Sequence, residues 1–87
     1  MRYEKRYVGM KIYVGEEGGT RPLAVCADGR DYEVDRVLCV RNVPPEHVGG
    51  VLTERYDVVV CGRRRALYRD TEDGRWFTEL PLPDDGA

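Results

Sequence analysis

The sequence predicts an all-β fold, a single small barrel of five to six antiparallel strands of the SH3-like kind, with an OB-like barrel as the alternative. Three observations predict it. No segment of twelve or more residues carries the i, i+3, i+4 apolar spacing of a helix. Several short segments instead alternate apolar and polar residues with a period of two, the signature of strands with one buried face. Glycine-bearing turn signals separate those segments at short intervals. The lack of a helical segment between the third and fourth strands favours the SH3-like arrangement.

The chain begins with a charged stretch, Arg2 to Arg6, which reads as a frayed end. Val8, Met10, Ile12 and Val14 then alternate with Gly9, Lys11 and Tyr13, giving the first strand. Glu16 to Arg21 is a loop, because paired glycines between charges do not continue a strand, and Pro22 opens the second strand where a missing amide hydrogen is tolerated.

Leu23 to Val40 holds the hairpin that the sequence specifies most fully. Asp28-Gly29 readily takes the two positive φ angles of a type I′ turn, which suits the twist of the flanking strands. With those residues as the loop, Ala27 faces Arg30, Val25 faces Tyr32 and Leu23 faces Val34 on an apolar face. Ala24 and Cys26 then oppose Asp31 and Glu33 on a face suited to water. A slip of one residue would bury Asp31 and Glu33, so the register is well determined. Alternation breaks after Val34, and a bulge within Asp35 to Val37 would restore it.

Asn42 to Thr53, with Pro44-Pro45 and Gly49-Gly50, reads as an irregular crossing between two halves. Arg55 to Cys61 alternates again through Tyr56, Val58 and Val60, a turn at Gly62-Arg63 leads into Arg64 to Asp70, and Asp73-Gly74 turns into a strand from Arg75. The expected core is Val8 or Met10, Ile12, Leu23, Val25, Tyr32, Val34, Val58 and Leu67, with Trp76 inward in preference to Phe77. Residues 1–80 form the expected domain and 81–87 an acidic, disordered tail.

Composition narrows the function classes. An 87-residue chain buries roughly 60–65% of its unfolded surface, enough for one modest core but little for a deep cleft between lobes. Charged residues make up 34% of the chain at a formal net charge of -2, so solubility is expected and charge alone nominates no partner. There is no serine, which excludes every serine nucleophile. Three scattered cysteines without a secretory signal point to reduced thiols in a cytoplasm, and no apolar run is long enough to span a membrane as a helix.

Constellations that carry chemistry are sparse. His47 beside Glu46 lies in the Pro-Pro loop with no nucleophile indicated nearby. Cys26, Cys39, Cys61 and His47 have the count but not the close-paired spacing of zinc ligands. Glu16-Glu17 and Asp84-Asp85 are neighbours in loop and tail rather than carboxylates converging on a cleft. No catalytic, cofactor or metal residue is therefore assigned.

The best candidate patch is Arg63, Arg64 and Arg65 with Arg55, Arg69, Tyr56 and Tyr68. Arginines interleaved with aromatic rings on a β-surface suit single-stranded nucleic acid; an edge hairpin protected by charge is the reading ranked ahead of it, and an acidic protein partner comes after both. A non-catalytic module binding a protein partner, through an uncovered edge strand or the Asn42 to Thr53 loop, is the leading expectation. Nucleic acid comes second, and neither cofactor nor membrane is expected.

The stretches DGRDYEVDRVLCVR and RYDVVVCGRRRALYRDTEDGRWFTEL resemble a family of small uncharacterised bacterial all-β proteins. That family pairs an Asp-Gly-Arg hairpin and a Tyr-x-Val/Ile-Asp-Arg/Lys-Val-Leu strand with a Gly-Gly loop, an Arg-Tyr strand and a closing Gly-Arg-Trp-Phe. The resemblance runs from about Lys11 to Leu80 and implies a fold but no activity, substrate or catalytic residue. Cys39 stands where the resemblance implies an acidic residue.

Overall fold

A computed structural model of the chain describes residues 3–44 and 52–81. It contains six strands: β1 (Tyr3–Val14), β2 (Thr20–Ala27), β3 (Arg30–Val43), β4 (Thr53–Val60), β5 (Arg63–Asp70) and β6 (Trp76–Pro81). Each strand pairs antiparallel with the next, and β1 pairs with β6 to close a barrel. The expected all-β barrel is thus the observed fold. None of the described segments is a helix long and apolar enough to cross a membrane.

Closure depends on a change of partner within β1. Its first half, Tyr3 to Val8, pairs with β6, and its second half, Gly9 to Val14, pairs with β2. The change falls at Gly9, where an added Cβ would stand 3.2 Å from the Cβ of Cys26, so a side chain there would push the neighbouring strand away by a few tenths of an ångström. This corrects the reading of Arg2 to Arg6 as frayed, because Tyr3 to Arg6 belong to β1 and pair with β6. The strand also runs further than expected at the other end of the chain, with Pro81 opposite Tyr3.

The central hairpin has the expected register, with Val25 opposite Tyr32 and Ala27 opposite Arg30 across Asp28 (φ 53°) and Gly29 (φ 74°). The β4–β5 hairpin uses the same turn chemistry at Cys61 (φ 51°) and Gly62 (φ 74°). The turn is therefore Cys61-Gly62 rather than Gly62-Arg63, and Arg63 opens β5 opposite Val60. Asp35 is passed over in the β3–β4 ladder, the bulge expected there, and a second bulge follows at Leu38. The carboxylate freed at Asp35 accepts a hydrogen bond from the Gly62 amide at 3.3 Å, tying the bulge to the neighbouring turn.

The core gathers Val25, Tyr56, Val58, Leu67 and Trp76, with Val8, Met10, Tyr32, Val34, Val37 and Val60 packed against it. Two expected members are missing. Leu23 is 45% exposed because it is the unpaired residue of a bulge opposite Lys11-Ile12, and buried Pro22 takes the ladder position facing Ile12. Ile12 is 41% exposed because the β1–β2 ribbon beyond Gly9 has left β6 behind. Ala24, expected on a watery face, is buried, its methyl group lying between the longer residues Lys11 and Glu33 of the neighbouring strands.

Trp76 and Phe77 are both buried, on opposite faces of β6. Trp76 packs inside, tilted against Tyr56 at 4.8 Å between ring centroids. Phe77 lies outside, stacked on Tyr68 at 5.2 Å and met edge-on by Tyr7 at 5.7 Å, with the Lys5 ammonium 4.6 Å from its ring centroid. Adjacent residues on a strand point to opposite faces, so burying both requires a second apolar cluster outside the barrel. The rings of β1 and β5 supply it.

The crossing between β3 and β4 is shorter than expected, since Asn42 and Val43 still belong to β3 and Thr53 to β4. His47, Glu46, the Gly49-Gly50 pair and the acidic Asp84-Asp85 lie outside the described residues.

Candidate functional site

The last hairpin opens the barrel wall. β5 and β6 pair only next to their connecting turn, at Tyr68 with Phe77 and Arg69 with Trp76. Among the described residues, Arg63 to Leu67 pair with β4 alone, and Thr78 to Pro81 pair with β1 alone. Between these uncovered edges lies a cleft of about 920 Å³ that reaches the barrel interior at Val8, Val25, Tyr32 and Val60.

The ladder determines how the arginines line this cleft. Arg63 stands opposite Val60 and Arg65 opposite Val58, so both share the inward face of β5 with Leu67, while Arg64 shares the outward face with Ala66 and Tyr68. Five arginines line the opening, Arg6, Arg55, Arg63, Arg64 and Arg65, against two carboxylates, Asp28 and Glu79.

Most cations of the sheet outside the Arg63 to Arg65 run are already engaged. Arg6 pairs with Asp28 at 3.0 Å, Arg55 with Asp57 at 3.0 Å and Arg41 with Asp57 at 3.5 Å, while Lys11 pairs with Asp31 and Arg69 with Glu54. Arg75 lies over the Tyr7 ring, 3.7 Å from its centroid. Arg63, Arg64 and Arg65 are exposed and have no carboxylate partner among the described residues.

Five members of the sequence-derived patch come together here: Arg55, Arg63, Arg64, Arg65 and Tyr68. Two do not. Tyr56 faces inward and is 2% exposed, so it is a core residue, and burial pushes its phenol up from its ordinary pKa. Arg69 also faces inward and donates to Glu54, the acceptor that Tyr56 also reaches, at 3.4 Å. Tyr68 is itself partly spent. Its ring stacks on Phe77, with the Arg55 guanidinium 5.8 Å from its centroid, and burial raises its phenol pKa. Arg55 is held still more firmly in its charged form, first by its hydrogen bond to Asp57.

Sequence reasoning missed Arg6, which reaches the rim because β1 extends to Tyr3, and it missed the floor, because an opening between non-adjacent parts of a hairpin leaves no local pattern. The thiols do not converge. Cys39 and Cys61 are exposed and Cys26 is half-buried on the outer face of β2. Among the described residues no group of three or more histidine, cysteine or acidic side chains could hold a metal ion.

Cys26 has the most distinctive thiol environment. It hydrogen-bonds Asp31, and that bond, followed by desolvation, raises its pKa above the usual thiol value. Lys11 in turn lowers the Asp31 pKa and has its own raised, both mainly through their hydrogen bond. A thiol with a raised pKa is a poor nucleophile near neutrality. Alkylation of Cys26 by iodoacetamide, followed by peptide mass spectrometry, is expected to need a higher pH than an unperturbed cysteine, and Asp31→Asn to bring that pH down. An unchanged profile in the variant would remove Asp31 as the cause.

No family model, no curated protein and no solved structure matches the chain.

Proposed function

We propose that this barrel is a non-catalytic interaction module that holds an extended segment of a protein partner between β5 and β6. The observation carrying this reading is the pair of uncovered strand edges, Arg63 to Leu67 and Thr78 to Pro81, facing each other across one cleft. An exposed strand edge presents unpaired N–H and C=O groups in the spacing that another strand satisfies. Main-chain bonds then supply affinity, and pockets for alternate side chains supply selectivity.

Three arginines without a carboxylate partner among the described residues also suit phosphates, but single-stranded nucleic acid draws on free aromatic faces, and Tyr68 is already stacked on Phe77. The protein reading therefore ranks first. A random ten-residue peptide library displayed on phage and selected against the intact chain tests it. Enriched peptides are expected to slow amide hydrogen exchange at residues 63–67 and 78–80. Protection confined to the β1–β2 ribbon would overturn the reading. So would labelled single-stranded DNA or RNA binding more tightly than the best peptide, with a log–log salt slope near -2 for about three phosphate contacts at roughly -0.7 each.

A further inference from the structure

The chemistry lining the cleft restricts what kind of segment it accepts. We infer that the segment is acidic, with carboxylates on consecutive residues that meet Arg63 and Arg65 on its inward face and Arg64 on its outward face, and with an apolar side chain further along the inward face that reaches the floor at Val25, Tyr32 and Val60. This inference rests on the strand-capture reading above and adds the identity of the side chains.

Charge is the first argument. Of the two carboxylates at the opening, Asp28 is taken by Arg6, and Glu79 alone faces three guanidinium groups that have no carboxylate partner among the described residues. Aligned guanidinium groups repel one another until an anion lies between them, and a carboxylate accepts two parallel N–H bonds from an arginine fork. The same charge disfavours a second copy of this chain as occupant, because pairing two β5 edges would bring two arginine triplets together.

Periodicity is the second argument. Arg63 and Arg65 point inward and Arg64 outward, so a strand laid along β5 meets an arginine on each of its faces near the Cys61-Gly62 turn. Nearer the closed end of the hairpin, the inward neighbours become Leu67 and the apolar interior. An apolar residue on that stretch of the bound strand removes its surface and that of the floor from water. A nucleic acid strand meets the arginines but offers no side chain to the floor.

Fluorescence anisotropy with the full chain and four labelled ten-residue peptides separates these contributions: Glu-Val, a run of five glutamates flanked by alternating valine and glutamate, and its versions with glutamine for every glutamate (Gln-Val), serine for every valine (Glu-Ser) or proline for every valine (Glu-Pro). Glu-Val is expected to bind at least tenfold more tightly than each of the others. The triple variant Arg63→Ala, Arg64→Ala, Arg65→Ala, changed only at exposed positions, is expected to reduce Glu-Val to the level of Gln-Val. Should Gln-Val bind as well as Glu-Val and protect amides 63–67, strand capture stands and acidic selectivity falls. Equal binding of Glu-Pro, which cannot donate at its prolines, would show plain charge attraction and overturn the inference. If no peptide protects 63–67 or 78–80, the strand-capture reading falls with it.

Discussion

Replacing Trp76 with alanine is expected to cost the barrel about 3–5 kcal/mol, the usual range for truncating a buried aromatic residue. At ~0.05–0.15 kcal/mol per residue, an 87-residue domain holds roughly 4–13 kcal/mol in all. The variant is therefore expected to lose between roughly a quarter and all of that stability. Trp76 lies at the centre of the core, packed on Tyr56 and grouped with Val25, Val58 and Leu67. A barrel of this size has no second layer that can collapse into the space left behind. Urea titration followed by far-ultraviolet circular dichroism measures the loss, since the only tryptophan is gone. A loss below about 1 kcal/mol, within the ordinary range for surface changes, would contradict the placement of Trp76 in the core.

Phe77→Ala is expected to cost about 3 kcal/mol, almost as much, although the ring lies outside the barrel. Its neighbours are Tyr68, Tyr7 and Lys5 in place of aliphatic side chains, so part of the loss comes from aromatic geometry, worth ~0.5–1.5 kcal/mol per pair beyond area. Phe77→Leu separates the two contributions. It keeps much of the buried surface and is expected to recover more than half of the loss. The same urea titration checks both variants, and a Phe77→Ala protein as stable as the parent would remove the outer cluster as a structural element. Because Phe77 also joins β5 to β6 at the inner end of the cleft, its loss is expected to widen the opening as well.

Local chemistry made the hairpins legible. Asp28-Gly29 declared a type I′ turn, and the alternation of Val25, Tyr32, Val58 and Leu67 declared the faces they occupy. What escaped the sequence depends on partners distant along the chain. Tyr3 to Arg6 read as frayed because charged residues carry no strand signal of their own. They form a strand because β6 offers a ladder. Leu23 read as core because the period of two was carried through a bulge that only the register with β1 reveals. Adjacent Trp76 and Phe77 read as a choice between faces, since nothing local announced that rings from β1 and β5 would build a second apolar surface. For the patch, arginine clustering was legible, and the period of two that Tyr56 shares with Val58 and Val60 already placed its ring on the core face, against its inclusion among the arginines.

The pairing of β1 with β6 also governs how the molecule assembles. Five of the six ladders join consecutive strands, and each can form as a local hairpin once its own turn is made. The sixth joins Tyr3 to Pro81 and encloses nearly the whole chain, so its loop-closure entropy is borne in a single long-range step. During synthesis on the ribosome, the first strand to emerge must wait for the last. Until then Tyr7 has no Phe77 to cover, Val8 has no Trp76 beside it, and the half-made barrel is an open sheet with two sticky margins.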